Sequence, residues 1–437
     1  MQVGTDTDAR ERDARDARNM RWNFAFFGGD IALFSLGLSI SSSYTILPLF
    51  VAHLTRSNVA VALIPAIRAL GLYGPQLLVA ALVERLRHAL PFILLATILE
   101  RVPYLVLAFG AIALAGRNAG ALLALFFAMI FLALFAGGIT YPAWLDMIAR
   151  SIPRTWLGRF MGFWWGAGNV LGIGGAAIAT VLLASVSWPL NFALCFAMTF
   201  AAMAISFVLL ALGREPARVT HTSPHPPAAR LSMSAQAREI VALVRQDGAL
   251  RRLLIANGLV GMSTMAGALY AVSAVRLGGL SDPEVGAEST VLFVAMTVGS
   301  FAWGAIGDRF GHRATLLWGT ACAGIAGLAA LVAHGFLAYG VVFLALGLSI
   351  SGVLLAGFTL ITEFGPEERR PTYVALASVA YAPFVIGAPI LGGFMANAWG
   401  YPPVFAVTAL FATAAALMLR FWVPDPRMKS ITSSESA

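Results

Sequence analysis

Between Trp22 and Val423 the sequence returns repeatedly to apolar stretches of bilayer-crossing length, each closed by an arginine cluster, a Gly/Pro pair or a short polar turn. A hydrocarbon core about 30 Å thick takes roughly 20 such residues as a helix. Inside lipid every backbone N–H and C=O must be satisfied internally, which leaves only helices and closed barrels. A barrel needs segments of ~10 residues that alternate in polarity, and runs such as Ala121 to Ala136 do not alternate. Hydrophobic residues make up 59% of the chain and charged residues 11%, against roughly 25% charged in a soluble domain. The fold class is therefore an all-α polytopic membrane protein.

The net charge of +8 would suit a nucleic-acid binder until the basic residues are placed. Arg56, Arg117 and Arg276 fall on one side of the spans and Arg68 and Arg101 inside them. All the others lie in the tails and in the turns of the opposite side. That is the positive-inside bias, and it puts both termini in the cytoplasm. The expected partners are then lipid, a small-molecule substrate and coupling protons, with no nucleic acid, and the protein is expected to act as a monomer. A single lysine, Lys429, among 29 basic residues is the usage of a GC-rich genome and suggests a bacterial inner membrane. Cys195 and Cys322 sit in different apolar spans, so no disulfide framework, metal site or cofactor is expected. The opening MQVGTDTDARERDARDARNMRW has neither a short apolar core nor a small-residue cleavage site, so the first span should be retained.

The spans read as 22–52, 59–83, 91–115, 120–149, 160–185 and 188–213, then 252–277, 288–307, 315–335, 338–363, 372–397 and 400–424. The organisation is a tail (1–21), an N-terminal six-helix bundle (22–213), a cytoplasmic linker (214–251), a C-terminal six-helix bundle (252–424) and a second tail (425–437). The linker opens Pro/His/Ser-rich. It continues with Ile240, Val241, Leu243 and Val244 beside Arg238 and Arg245, the pattern of a basic amphipathic helix on a membrane surface. An offset of 224 residues lays His88 on His312 and Glu84-Arg85 on Asp308-Arg309, and an offset of 213 lays Pro153 on Pro366 and Gly174 on Gly387. The matches keep their order and side, as expected of a duplicated six-span unit.

The turn after the eighth span reads GAIGDRFGHR. It resembles the signature of the major facilitator superfamily of secondary transporters, with Gly304, Asp308, Arg309, Gly311 and Arg313 in place and His312 at the other basic position. The copy after span two, ALVERLRHA, is degenerate: Glu84 stands for the aspartate, followed by Arg85. The resemblance implies the twelve-helix major facilitator fold and a latch that holds the cytoplasmic side shut. Asp146 at the end of span four would partner the first copy, and Glu363 at the end of span ten would partner Arg309 or Arg313. The alternative is that these charges only anchor helix ends at the interface.

An ionisable residue in a span costs at least roughly 2.5 to 3.5 kcal/mol at the centre, so each asks for a partner or a purpose. Asp30, Arg68, Glu100 and Arg101 all fall ~12 to 15 Å from a membrane face at ~1.5 Å per residue and can share a layer, with Arg68 and Glu100 as the favoured pair. Asp30 or Glu100 would carry a proton; a fixed structural ion pair is the competing reading. Ser35, Ser39 and Ser42 recur at helical spacing on span one, where they either line a cavity or allow close packing. Tyr141, Asn169, Asn257 and Tyr270 are further pathway candidates. No GxxxxGK[ST] loop, zinc cluster or nucleophile elbow occurs, which argues against an ATPase or hydrolase. A secondary transporter working by alternating access is the leading expectation. A carrier-derived receptor or scaffold, or an intramembrane enzyme, are the alternatives.

Overall fold

The computed structural model describes residues 3–75, 79, 83, 86–216, 244–364 and 370–424. The elements among them are helices: α1 (Val3–Ile40), α2 (Ile46–Leu54), α3 (Asn58–Tyr73), α4 (Leu90–Leu114), α5 (Ala119–Ser151), α6 (Arg154–Ser185) and α7 (Leu190–Ala211), then α8 (Gly248–Met262), α9 (Leu269–Arg276), α10 (Asp282–Phe310), α11 (His312–Val332), α12 (Gly335–Thr362), α13 (Arg370–Trp399) and α14 (Tyr401–Phe421). Ten are long and apolar enough to cross a membrane. The shorter apolar α3 and the α8–α9 pair stand where the sequence places spans two and seven, which accounts for twelve crossings.

Helix ends follow local chemistry. The Asn118 side chain accepts the Ala121 N–H at 2.9 Å and starts α5. Asp247 accepts from Ala249 and Leu250 and starts α8, while Ser281 and Glu284 form a capping box on α10. Each supplies acceptors to N–H groups that have no partner within their own helix.

Three expectations change. The N-terminal tail is helical from Val3 and continuous with the first span. That span is not one helix over 22–52 but breaks between Ile40 and Ile46, and the seventh breaks between Met262 and Leu269. Both breaks carry hydroxyl side chains, which compete for backbone groups: Ser263 donates to the Val260 carbonyl (2.7 Å) and Thr264 to the Gly261 carbonyl (2.7 Å). Ser41 shares a hydrogen bond with Thr199 (2.7 Å). Most of the expected amphipathic helix, Arg238 to Leu243 included, lies outside the described residues, as does the second tail.

The chain divides into two compact units, Met1–Ser42 with Gly71–Thr220, and Ser43–Leu70 with His221–Ala437. The first has a core of Phe27, Ile31, Ile93, Met147, Phe160 and Leu210. Its α1 and α6 meet closely: a Cβ on Gly168 would lie 2.7 Å from Ser35 Oγ, and one on Gly175 would collide with Ser39 Oγ. The second unit has a core of Leu250, Leu253, Leu316, Leu360, Leu376 and Leu419.

Candidate functional site

Arg101 lies at the middle of α4 and is 4% exposed, as Asp30 on α1 is 5% exposed. Its guanidinium sits between two carboxylates, Asp30 at 3.5 Å and Glu100 at 3.6 Å. Its Nε donates to the Met203 carbonyl (2.9 Å), Nη1 to the Thr97 carbonyl (3.2 Å) and Nη2 to Ser206 Oγ (3.2 Å). Ser206 Oγ in turn donates a hydrogen bond to Asp30 Oδ1 at 2.5 Å. The Phe34 and Phe207 rings stand 5.5 and 5.6 Å from the guanidinium carbon. Glu100 rests on a glycine, since a Cβ at Gly137 would come within 2.8 Å of its Oε1. Helices α1, α4, α5 and α7 therefore converge on one cation and two carboxyls. With both carboxyls ionised the cluster carries one excess negative charge in a low-dielectric setting, which a single bound proton cancels.

Three of the four expected layer residues are thus brought together. Arg68 is not paired with Glu100: it is exposed, and its guanidinium stands 5.4 Å from the Tyr44 ring. Glu100 instead takes its neighbour in sequence, a geometry that facing-helix arithmetic overlooks. Ser39 is fully buried, with its hydroxyl on the Leu36 carbonyl (2.7 Å). It packs α1 on α6. Tyr141 is exposed and stacks on Trp144 at 6.3 Å. Asn169 is half-buried on α6 and Asn257 is buried on α8. Tyr270 is buried against Phe405 at 5.2 Å, its hydroxyl without a partner.

Of the expected latch, Glu84 and Arg85 lie outside the described residues. Asp146 holds Arg150 one turn on, at 2.9 Å. Arg150 also reaches Glu215 at 2.6 Å, and the two Glu215 oxygens accept the Ala89 and Leu90 N–H groups at 2.7 and 2.8 Å, capping α4. Sequence reading missed Glu215 because it acts on a helix 125 residues away. In the second unit Gly311 has φ +88, a backbone conformation that suits glycine, between α10 and α11. The close approach is made by Gly307, where a Cβ would lie 3.0 Å from the His312 ring, while Gly304 faces open space. Glu363 meets His312 at 3.7 Å, not an arginine: Arg313 donates to the Val423 carbonyl (2.9 Å) and Arg309 lies over Phe310. Asp308 ends α10 beside them.

A second polar set in the same unit was not foreseen. Arg276 Nη1 donates to Asn58 Oδ1 (2.9 Å) and Tyr401 Oη (3.0 Å), and Tyr401 donates to Asn58 (2.7 Å). His53 meets Asp282 at 2.6 Å, and Ser289 donates to Thr45 at 2.6 Å. These residues gather at the arginine-poor end of the spans. The hydropathy pattern gives no sign that they meet.

The Major Facilitator Superfamily model matches residues 253–437. The backbone superposes on a mutant of the nucleoside transporter NupG with a TM-score of 0.69 at 10% identity, over 90% of this chain and 99% of that one. It superposes on a D-xylose-proton symporter with a TM-score of 0.63 at 15% identity, over 93% and 96%. It is the C-terminal part of the chain that matches the major facilitator superfamily. The human solute carrier family 22 member 11 is 27% identical over 139 residues, 31% of this chain and 24% of that protein. The cis,cis-muconate transport protein of Acinetobacter baylyi is 24% identical over 147 residues, 34% and 35%. The chain thus aligns with about a quarter to a third of the length of these relatives.

Proposed function

We propose that this member of the superfamily is a secondary transporter that moves a small organic solute by alternating access, coupled to a proton held at Asp30 and Glu100. The observation that carries this reading is the buried cluster of two carboxyls on the one Arg101 guanidinium. Such a site is neutral with one proton bound and carries one excess negative charge without it, so its proton occupancy is tied to how well the surrounding helices exclude water. The relatives and neighbours are named for solutes as different as nucleosides, D-xylose and cis,cis-muconate, which supports a small organic solute as the substrate class. The orientation that fits the arginine bias puts both termini in the cytoplasm of a bacterial inner membrane.

The test is uptake into proteoliposomes with and without an inward-acid pH gradient, for wild type, Asp30→Asn and Glu100→Gln. Gradient-driven accumulation should fall at least tenfold in one of the two variants while solute exchange at equal concentrations persists. Accumulation with wild-type pH dependence in both variants would remove the proton role. Tight ligand binding with no flux at all would favour a receptor over a carrier.

A further inference from the structure

Helix α10 carries a carboxylate that the cluster on Arg101 does not use. Glu288 is 0% exposed, and neither of its oxygens has a hydrogen-bond partner. It sits six residues past the start of α10, about 9 Å along the axis, so it lies inside the span. The sequence reading, which began that span at residue 288, had put it on the rim.

Among the described residues no cation pairs with it. The charged group that acts on it is Glu284, one turn earlier on the same helix and of like sign. From α12 it faces Gly340, where a Cβ would stand 3.7 Å from both carboxyl oxygens; the adjoining Tyr339 gives its hydroxyl to Ser273. From α2 and α9, His53 is engaged by Asp282, Arg276 by Asn58 and Tyr401, and Thr45 by Ser289. From the α11–α12 turn, exposed His334 bonds the Val332 carbonyl. An ionised carboxylate sealed in this way would carry a desolvation penalty of several kcal/mol with nothing to offset it. The space between the carboxyl and Gly340 would take a methyl group, too little for a hydrated metal ion, whereas a proton fits.

We infer that Glu288 is a second proton-binding site of this chain, separate from the Arg101 cluster, with its carboxyl seated on Gly340 and protonated in the folded resting molecule. The site stands on its own burial, whether or not Asp30 carries a proton. Loading and unloading it requires α10 and α12 to part at Gly340, so the glycine is both the seat and the seam. The second half, which lacks a counterpart of Asp30 and Arg101, then holds an ion site of its own.

Infrared spectroscopy of the purified full chain in detergent tests this without a transport assay. Wild type at neutral pH should show the carbonyl stretch of protonated carboxyl, with a component that is lost in Glu288→Gln and kept in Asp30→Asn. In Gly340→Ser, whose hydroxyl comes within reach of the carboxyl, the band should persist and move to lower frequency. This variant covers the case in which Glu288→Gln does not fold. A wild-type spectrum with no such band, a band unchanged in both Glu288→Gln and Gly340→Ser, or a band lost in Asp30→Asn alone would overturn the proposal. Stabilisation of wild type by sodium chloride but not by isosmotic choline chloride would also overturn it, in favour of a metal cation.

Discussion

Replacing Arg101 with methionine keeps most of the side-chain volume and removes the charge on which the first unit's interior depends. Asp30 and Glu100 would be left buried with no cation, and Met203, Thr97 and Ser206 would each lose a donated hydrogen bond. Removing one partner of a buried ion pair costs about 3 to 5 kcal/mol. The three hydrogen bonds at ~1 kcal/mol each fall within that figure and do not add to it. At roughly 2 cal/mol/K of unfolding entropy per residue, a chain of 437 residues should melt on the order of 3 to 6 °C lower. The assay is thermal unfolding in one detergent, followed by intrinsic tryptophan fluorescence. A triple variant, Asp30→Asn, Glu100→Gln and Arg101→Met, should recover most of the loss, because neutralised groups need no cation and buried charges replaced together are often tolerated. If Arg101→Met melts with wild type, or if the triple variant melts no higher than Arg101→Met, the claim that the guanidinium balances both carboxyls is wrong.

Two further outcomes follow from the geometry. Ser39→Ala should keep wild-type uptake and lose less than about 1 kcal/mol, whereas Gly175→Leu should abolish folded expression, because the α1–α6 contact has no room for a side chain; reduced uptake in well-folded Ser39→Ala would return that serine to the pathway. Glu215→Ala should cost about 1 to 2 kcal/mol by uncapping α4 and should speed hydrogen exchange at the Ala89 and Leu90 amides, with unchanged exchange there counting against the cap.

The span count and the family turn were legible because each rests on composition or on local spacing. Asp30, Glu100 and Arg101 were legible for a related reason: a charge in an apolar run stands out at single-residue level. Their pairing was not, because depth along a helix does not fix rotation about it. Arg68 shares the depth and points elsewhere. Ser206 and Glu215 were invisible, being ordinary residues whose roles come from partners 176 and 125 residues away. Glu288 was missed for a narrower reason. Its span was taken to begin where hydropathy rises, whereas the capping box starts the helix at Asp282.

The breaks in spans one and seven bear on how the protein enters its membrane. Helix α2 has nine residues and α9 has eight, covering about 14 and 12 Å of axial rise against a hydrocarbon core of about 30 Å. Neither can partition into lipid as a crossing on its own. Each must wait at the bilayer surface, or in the protein-lined exit of the insertion machinery, until later segments cover its open backbone ends. Arg18–Ile40 is long and apolar enough to cross by itself, so it is the short second piece of each broken span that the rest of the chain brings into the membrane, and the order in which segments are synthesised becomes part of what makes the fold attainable.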